Sequence, residues 1–483
     1  MKKVILLLIG AVAIYSCSSD LENLNQNIKD PASVPGESLF TGAQKNLMDQ
    51  IAEINVNLNN TQLWSQFLQE ATYTDESNYD QVTRTIPQSH WDVMYKDVLK
   101  DLDEASKVIS ETTYTTDALN ALKPNKLLIN EILSIYAYSN LVETFGDVPY
   151  SEALDIDNLL PKYDDGLTIY KDLLTRLTVA INALDTSKGS YGSADRIYQG
   201  DVSKWKMFAN SLKLRMANLI SDIEPGIAQT AITEALDSGV ITSPDDNATY
   251  SYLTADPNTN PVYVSLVLSG RKDYVAGKTV IDIMNDLNDP RRPLYFTMVD
   301  GEYKGGVIGQ ESTYANFSHF SEQFENASLP GILFSYSEVE FILAELAAKN
   351  FTVPGTAMEH YNNGVAASIV YWGGTPAEAV AYLAQPKVNY LTAIATSTAT
   401  TPWKEVIGTQ KWLSLFSRGM EAWTSIRLLD YPIMAEPVDA VSGYPNRYTY
   451  PIVEQTLNGA SYNAASAAIG EDTAEQKLFW DVN

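Results

Sequence analysis

The sequence predicts a mainly α-helical protein built from helical hairpins that carry an irregular, loop-rich side. Apolar residues recur at three- and four-residue steps in five separate stretches, the period of a helix with one buried face. Between Tyr250 and Phe320 that period vanishes, and Gly, Asn, Asp, Pro and Tyr dominate instead. A chain of 483 residues also exceeds the ~250–300 at which single cores usually split, so one large body or closely packed lobes are expected.

The chain opens with an address label. Lys2 and Lys3 precede an apolar run from Val4 to Ile14, and Cys17, the only cysteine, follows Ser16. The run would span about half of a ~30 Å hydrocarbon core, so it reads as a secretory h-region over residues 1–16. A lone cysteine just after it suits lipid attachment, with the mature chain starting at Cys17. Ile14 and Ser16 fit a bacterial lipobox, while Tyr15 is bulkier than usual there. The alternative is a plain signal peptide with an incidental cysteine. Residues 17–38, polar and Asn-rich with Pro31 and Pro35, read as a tether, and 39–483 as one α-helical domain with a loop-rich insertion around 250–330.

Along that domain the first aromatic-polar loop runs from Ala71 to Trp91, although Trp91 and Tyr95, four apart, share a helix face and point to the core. A helix then runs from Leu127 through Tyr138 to Phe145, entered past Asp117 and Pro124 and stopped at Gly146-Asp147. The next opens after Asp164-Asp165-Gly166 and carries Leu167, Tyr170, Leu174, Leu177 and Ile181. A third places Trp205, Phe208, Leu212, Met216 and Leu219 on one face. After the long mid-chain loop, Tyr336, Val339, Leu343 and Leu346 form a fourth stripe, and Tyr371-Trp372-Gly373-Gly374 a turn. The fifth, with Trp412, Leu415 and Phe416, breaks near Gly419 and resumes at Trp423, Ile426 and Leu429. Paired helices of this length fit tetratricopeptide units, but the strict 34-residue signature is not readable.

Charge excludes some functions. The net charge is −27, and loss of the leader with its two lysines takes it to −29. Nucleic acid and anionic membrane surfaces both require clustered basic residues, so both are disfavoured as partners. With one cysteine no intrachain disulfide can form. Three histidines, His90, His319 and His360, lie far apart, and no His-Glu-x-x-His or Gly-x-Ser-x-Gly motif occurs. Ser203-Lys204-Trp205-Lys206 matches Ser-x-x-Lys, but lies mid-helix without its Lys-Thr-Gly partner. A glycosidase pair among 60 carboxylates stays open. Asp155, Asp157 and Asp165 allow a structural Ca²⁺, but their spacing fails the EF-hand pattern, so no cofactor is indicated.

The chain also carries an ordered set of motifs: Asn140-Leu-Val-Glu-Thr-Phe-Gly-Asp-Val-Pro-Tyr-Ser-Glu-Ala-Leu154, then Gly200-Asp201…Lys204-Trp205…Phe208-Ala-Asn-Ser-Leu-Lys-Leu-Arg-Met216, Asp289-Pro290-Arg291, Tyr336-Ser-Glu-Val-Glu-Phe-Ile-Leu-Ala-Glu345, Gln410-Lys-Trp412…Glu421-Ala-Trp423…Arg427, and Asn446-Arg447-Tyr448…Tyr450-Pro451. This set resembles the SusD/RagB family over essentially the whole chain. The resemblance implies four tetratricopeptide-type helix pairs and an irregular ligand-binding side. It also implies a non-enzymatic, outer-membrane, surface-facing lipoprotein of Bacteroidetes, lipidated at Cys17. Such a protein captures a nutrient and passes it to a SusC-like TonB-dependent transporter barrel. Ser18-Ser19-Asp20-Leu21-Glu22 resembles the family's surface-export signal. Most motif residues should be structural: Trp205, Phe208, Tyr336, Phe341, Trp412 and Trp423 in the core, and Arg215 and Glu345 as paired charges at helix contacts.

A sugar needs aromatic faces for its C–H surfaces and planar polar groups for its hydroxyls. The loop after the first helix offers Tyr73, Asp75, Asn78, Tyr79 and Arg84. The mid-chain offers Tyr252, Tyr263, Arg271, Tyr274, Tyr303 and Tyr314, with Trp372 as a further candidate. An oligosaccharide is the leading ligand. The alternatives are a peptide or other non-glycan nutrient, an anchored hydrolase, and a helical scaffold that binds only protein.

Overall fold

The computed structural model describes residues 34–482. The leader, Cys17 and the export-type sequence after it lie outside the described residues.

Helices in antiparallel pairs form the frame. The first pair is α1 (Gly36–Ala52) with α2 (Lys100–Glu111), the second α3 (Lys123–Phe145) with α4 (Gly166–Ala183). The third is α5 (Val202–Leu219) with α6 (Pro225–Ser238), the fourth α7 (Tyr336–Ala348) with α8 (Ala357–Tyr371). Neighbouring pairs touch through α2 on α3, α4 on α5 and α5 on α7, and α9 (Pro402–Ser414) and α10 (Gly419–Leu429) complete the stack. Four pairs are what the motif resemblance implies, and the five stripes fall on α3, α4, α5, α7 and α9–α10.

Local chemistry sets the helix ends. Asp165 and Asp201 cap α4 and α5 by accepting backbone N–H groups of the first turn. Thr356 and Glu359 form a reciprocal capping box at the start of α8. Gly146, at φ 92°, ends α3 in a conformation that favours glycine.

The heavy aromatics meet in the middle. Trp205, Phe208, Phe341, Trp412 and Trp423 are fully buried, while Tyr336 is half-buried. Trp91 is buried against Tyr95 and Phe145. Arg215 and Arg418 sit between Glu338 and Glu421, with Arg418 Nη1 2.5 Å from Glu338 Oε2. Glu345 pairs with Lys411 Nζ at 2.6 Å. These charges are buried, so the geometry of each pair decides its worth. Among the described residues no helix is long and apolar enough to cross a membrane.

The mid-chain departs from the loop expected of it in several helical segments, Pro261–Tyr263 continued by Val264–Leu268, Arg292–Tyr295 and, longest of them, Lys278–Asp286. Lys278–Asp286 is a helix with Val280, Ile281 and Met284 buried, a three-to-four spacing too short to stand out among turn residues. The first loop likewise ends early, because Ile86–Asp92 is helical and runs on towards α2.

Among the described residues three two-stranded ribbons complete the fold. One of them matters most for function: Leu68–Glu70 pairs antiparallel with Tyr274–Ala276, Glu70 opposite Tyr274. Gly277, just beyond, allows the tight approach, since a Cβ there would collide with the carbonyl oxygen of Gln66.

Candidate functional site

The ribbon Leu68–Glu70/Tyr274–Ala276 brings the two aromatic loops together. Glu70 leads directly into the first loop, and Arg271–Asp273 lead directly into Tyr274. The junction is sewn by Ala71 N–H donating to the Asp273 carbonyl at 2.7 Å and Ser312 N–H donating to the Ala71 carbonyl at 2.9 Å. Where they meet lies a cleft of about 150 Å³. Tyr73, Arg84, Arg271 and Tyr274, expected from two loops nearly 200 residues apart in sequence, all line it.

Tyr73 is the exposed aromatic surface of the cleft. It is 67% accessible and holds φ 57°, a left-handed conformation that costs a non-glycine residue about 1 kcal/mol or more. An exposed aromatic held in strained backbone at a cleft mouth is a recurring mark of a binding surface. Tyr274 is buried, and its hydroxyl accepts from Val56 N–H at 3.2 Å, fixing the loop after α1.

The sequence reading did not single out the rest of the lining. Glu70 ends the first strand of the ribbon, Thr72 and Asp273 flank it, Asn55, Val56 and Asn57 follow α1, and Ser265 and Ser269 come from the helical segment Val264–Leu268 and its C-terminal end. The Asn-Val-Asn-Leu-Asn-Asn run at 55–60 was a readable signal, since short amide side chains at a helix end favour loops and offer both donors and acceptors.

Below the cleft two carboxyl groups are buried side by side. Glu76 pairs with Arg84, Nε to Oε1 at 2.6 Å. Glu70 Oε2 accepts the Ser77 N–H at 2.9 Å. Burial, and then the charge of Glu76, push the Glu70 carboxyl up to about 9. Glu76 is also raised, by burial. Two carboxylates in one dry site cannot both ionise freely, so the pair retains a proton.

The other expected site residues stand elsewhere. Asn78 is buried, donating to the Gly309 carbonyl at 2.9 Å and accepting from Asp439 N–H at 3.0 Å, so it staples three loops. Tyr79 is buried with its ring edge-on to Tyr444. Asp75 is exposed, and its carbonyl closes the turn by accepting from Asn78 and Asp80 N–H. Tyr252 is buried and donates to Asp49 at 2.9 Å. Tyr263 is half-buried on its short helix. Tyr303 lies under the Arg292 guanidinium, and Tyr314 stacks on His319 at 4.5 Å. Trp372 is buried among Tyr295, Phe324 and Tyr371.

Two roomier recesses exist, of about 510 Å³ beside Tyr361 and Tyr431 and about 360 Å³ beside Tyr79 and Tyr444. Tyr361 and Tyr79 are buried and Tyr431 and Tyr444 half-buried, so neither recess presents a ring as open as Tyr73. Among the described residues no group of three or more His, Cys, Asp or Glu could hold a metal. Asp165 is taken up in capping α4, and Asp155 accepts from Asp157 N–H.

Comparison with known proteins fits this frame. A family profile described as SusD-like, starch-binding associating with outer membrane, matches residues 27–451. No curated protein sequence matches. Among solved structures, a chitin-binding protein is 26% identical, with a TM-score of 0.78 over 93% of this chain and 100% of its own. A SusD homologue from Bacteroides uniformis is 24% identical, with a TM-score of 0.77 over 92% and 99%. A chitin-binding SusD homologue from Flavobacterium johnsoniae is 22% identical, with a TM-score of 0.76 over 92% and 99%.

Proposed function

The chain belongs to the SusD-like family, starch-binding and associating with the outer membrane, and from that premise we propose that it captures an oligosaccharide at the Tyr73 cleft and delivers it to a SusC-like TonB-dependent transporter barrel. Members of the family bind without catalysis, so the cleft need only hold and release. The observation that carries the reading is the meeting of an open aromatic ring with Arg84, Arg271, two serines and two asparagines at one small recess. Aromatic C–H stacking with a few convergent polar groups is what a sugar requires.

A recess of about 150 Å³ is smaller than the ~300–1,000 Å³ of sites that enclose a whole small molecule. It suits one unit of a longer chain, with the remainder lying over the surface. That arrangement favours capture and hand-over above tight retention. The relatives that bind chitin support a saccharide ligand. Cys17 supplies the anchor in this reading, and the residues between it and α1 the tether, which ends before Gly36, where the helix begins, instead of at residue 38.

Titration of the soluble chain from Ser18 against oligosaccharides tests the ligand, with Tyr73→Ala beside it. Saturable binding that the substitution weakens is the expected result. Binding of peptides alone moves the ligand class and keeps the transport role. Co-purification of the full-length protein with its transporter tests delivery, and loss of membrane association in Cys17→Ala tests the anchor.

A further inference from the structure

The cleft has no charge to spare. Its acidic and basic lining is Glu70, Arg84, Arg271 and Asp273. Arg271 Nε lies 2.6 Å from Asp273 Oδ2 at the exposed rim. Arg84 Nε lies 2.6 Å from Glu76, whose side chain is 1% exposed behind the wall. Glu70 has no cation of its own. It receives one backbone N–H, from Ser77, and its nearest charged neighbour is Glu76. A second bare carboxylate there would be desolvated with only the Arg84 guanidinium to serve both acids, so Glu70 keeps its proton. Glu53, beneath the same loop, is spent on the backbone N–H groups of Ile54 and Asn55 and on Ser265.

We infer that the cleft selects uncharged saccharide units and rejects both uronates and free amino sugars. The inference rests on the proposed saccharide binding at this cleft and names the charge class of its ligand. A uronate seeking a cation finds both guanidinium charges already matched by carboxylates and must compete with Asp273 or Glu76 for them. Breaking Arg84 from Glu76 strands a buried carboxylate, the costly way to open a buried pair. An ammonium group finds Asp273 and Glu76 occupied and Glu70 neutral. Hydroxyl and acetamido groups meet no such barrier. They need only fixed polar groups: the Ser265 and Ser269 hydroxyls, which donate to Glu53 and to the Ser265 carbonyl, keep lone pairs that accept, beside Thr72, Asn55 and Asn57. Selection thus comes from what the site denies to charged rings as well as from what it offers to neutral ones.

The experiment is a titration at pH 7 with neutral glucan, xylan, mannan and galactan oligomers and N-acetylated chitin oligomers. De-N-acetylated chitin oligomers and oligogalacturonates are set against them. The expected result is a neutral ligand bound at least tenfold more tightly than either charged class. Asp273→Asn at the rim, and Glu76→Gln combined with Glu70→Gln in the floor, each release a guanidinium and should raise oligogalacturonate affinity about tenfold. Thermal melts establish that each variant is folded, and the rim variant carries the test if the floor variant is not. Equal or tighter binding of a charged class, or no change in oligogalacturonate affinity for folded Asp273→Asn, overturns the inference while leaving saccharide binding intact. Failure of every oligosaccharide to bind overturns the saccharide reading itself.

Discussion

Arg84 reaches from the cleft wall to the buried Glu76, Nε to Oε1 at 2.6 Å, eight residues back along the same loop. The pair closes the loop on itself. It holds a guanidinium plane at the cleft while keeping a charge in the floor compensated. The same short segment presents Tyr73 outward and turns Tyr79 inward.

Replacing Tyr73 with alanine removes the open ring and little else. Loss of a stacking aromatic costs about 1–3 kcal/mol where rings stack on flat ligands, so ligand affinity should fall about 5- to 150-fold. The melting temperature should stay within a degree or two, because the side chain is 67% exposed. Calorimetric titration and a thermal melt check the two halves.

Tyr79→Ala behaves in the opposite way. Its ring is 3% exposed and packs edge-on to Tyr444, and buried aromatic truncations cost about 3–5 kcal/mol. Urea unfolding should show that loss as a lower midpoint. Any effect on ligand should follow from loosening of the loop.

Trp372→Ala should destabilise by a similar amount through its contacts with Tyr295 and Phe324. Ligand affinity, measured below the variant's melting temperature, should match the parent.

The Glu70 carboxyl predicts a pH slope. Its pKa in the folded chain, about 9, lies above the ordinary 4.5, so the native state holds a proton that the unfolded chain has released. Stability from this group is therefore full below about pH 4.5 and declines as pH rises towards 9. Glu70→Gln cannot titrate and keeps an acceptor for Ser77. It should match the parent near pH 4 and exceed it at pH 8–9, as read by denaturant midpoints.

Removing Arg418 tests the buried charge cluster. Arg418→Ala leaves Glu338, whose side chain is 2% exposed, facing only the longer contact from Arg215 at 3.6 Å. Breaking one member of a buried pair costs about 3–5 kcal/mol, again read by urea unfolding.

Much of the frame was legible because it is local. Trp205, Phe208, Leu212 and Met216 announce α5 by spacing alone, and Asp165 and Gly146 mark their helix ends by residue type. The Lys278–Asp286 helix was hidden because its apolar triad lies in a turn-rich stretch. The cleft was legible by halves. Both loops could be named, since aromatic and polar residues crowd into them. Which of Tyr73 and Tyr79 faces out could not, because the pairing of Glu70 with Tyr274 decides it, and a contact across some 200 residues leaves no local period. Glu70 itself sits in a three-residue strand, where a buried acid looks like any other.

The central claim is that Tyr73 presents a saccharide-binding surface, and one measurement tests it most directly. The soluble chain from Ser18 and its Tyr73→Ala variant, both folded, are titrated with the same neutral oligosaccharide panel. Saturable binding by the parent that falls at least fivefold in the variant is the predicted result. Equal binding by the two proteins would contradict it.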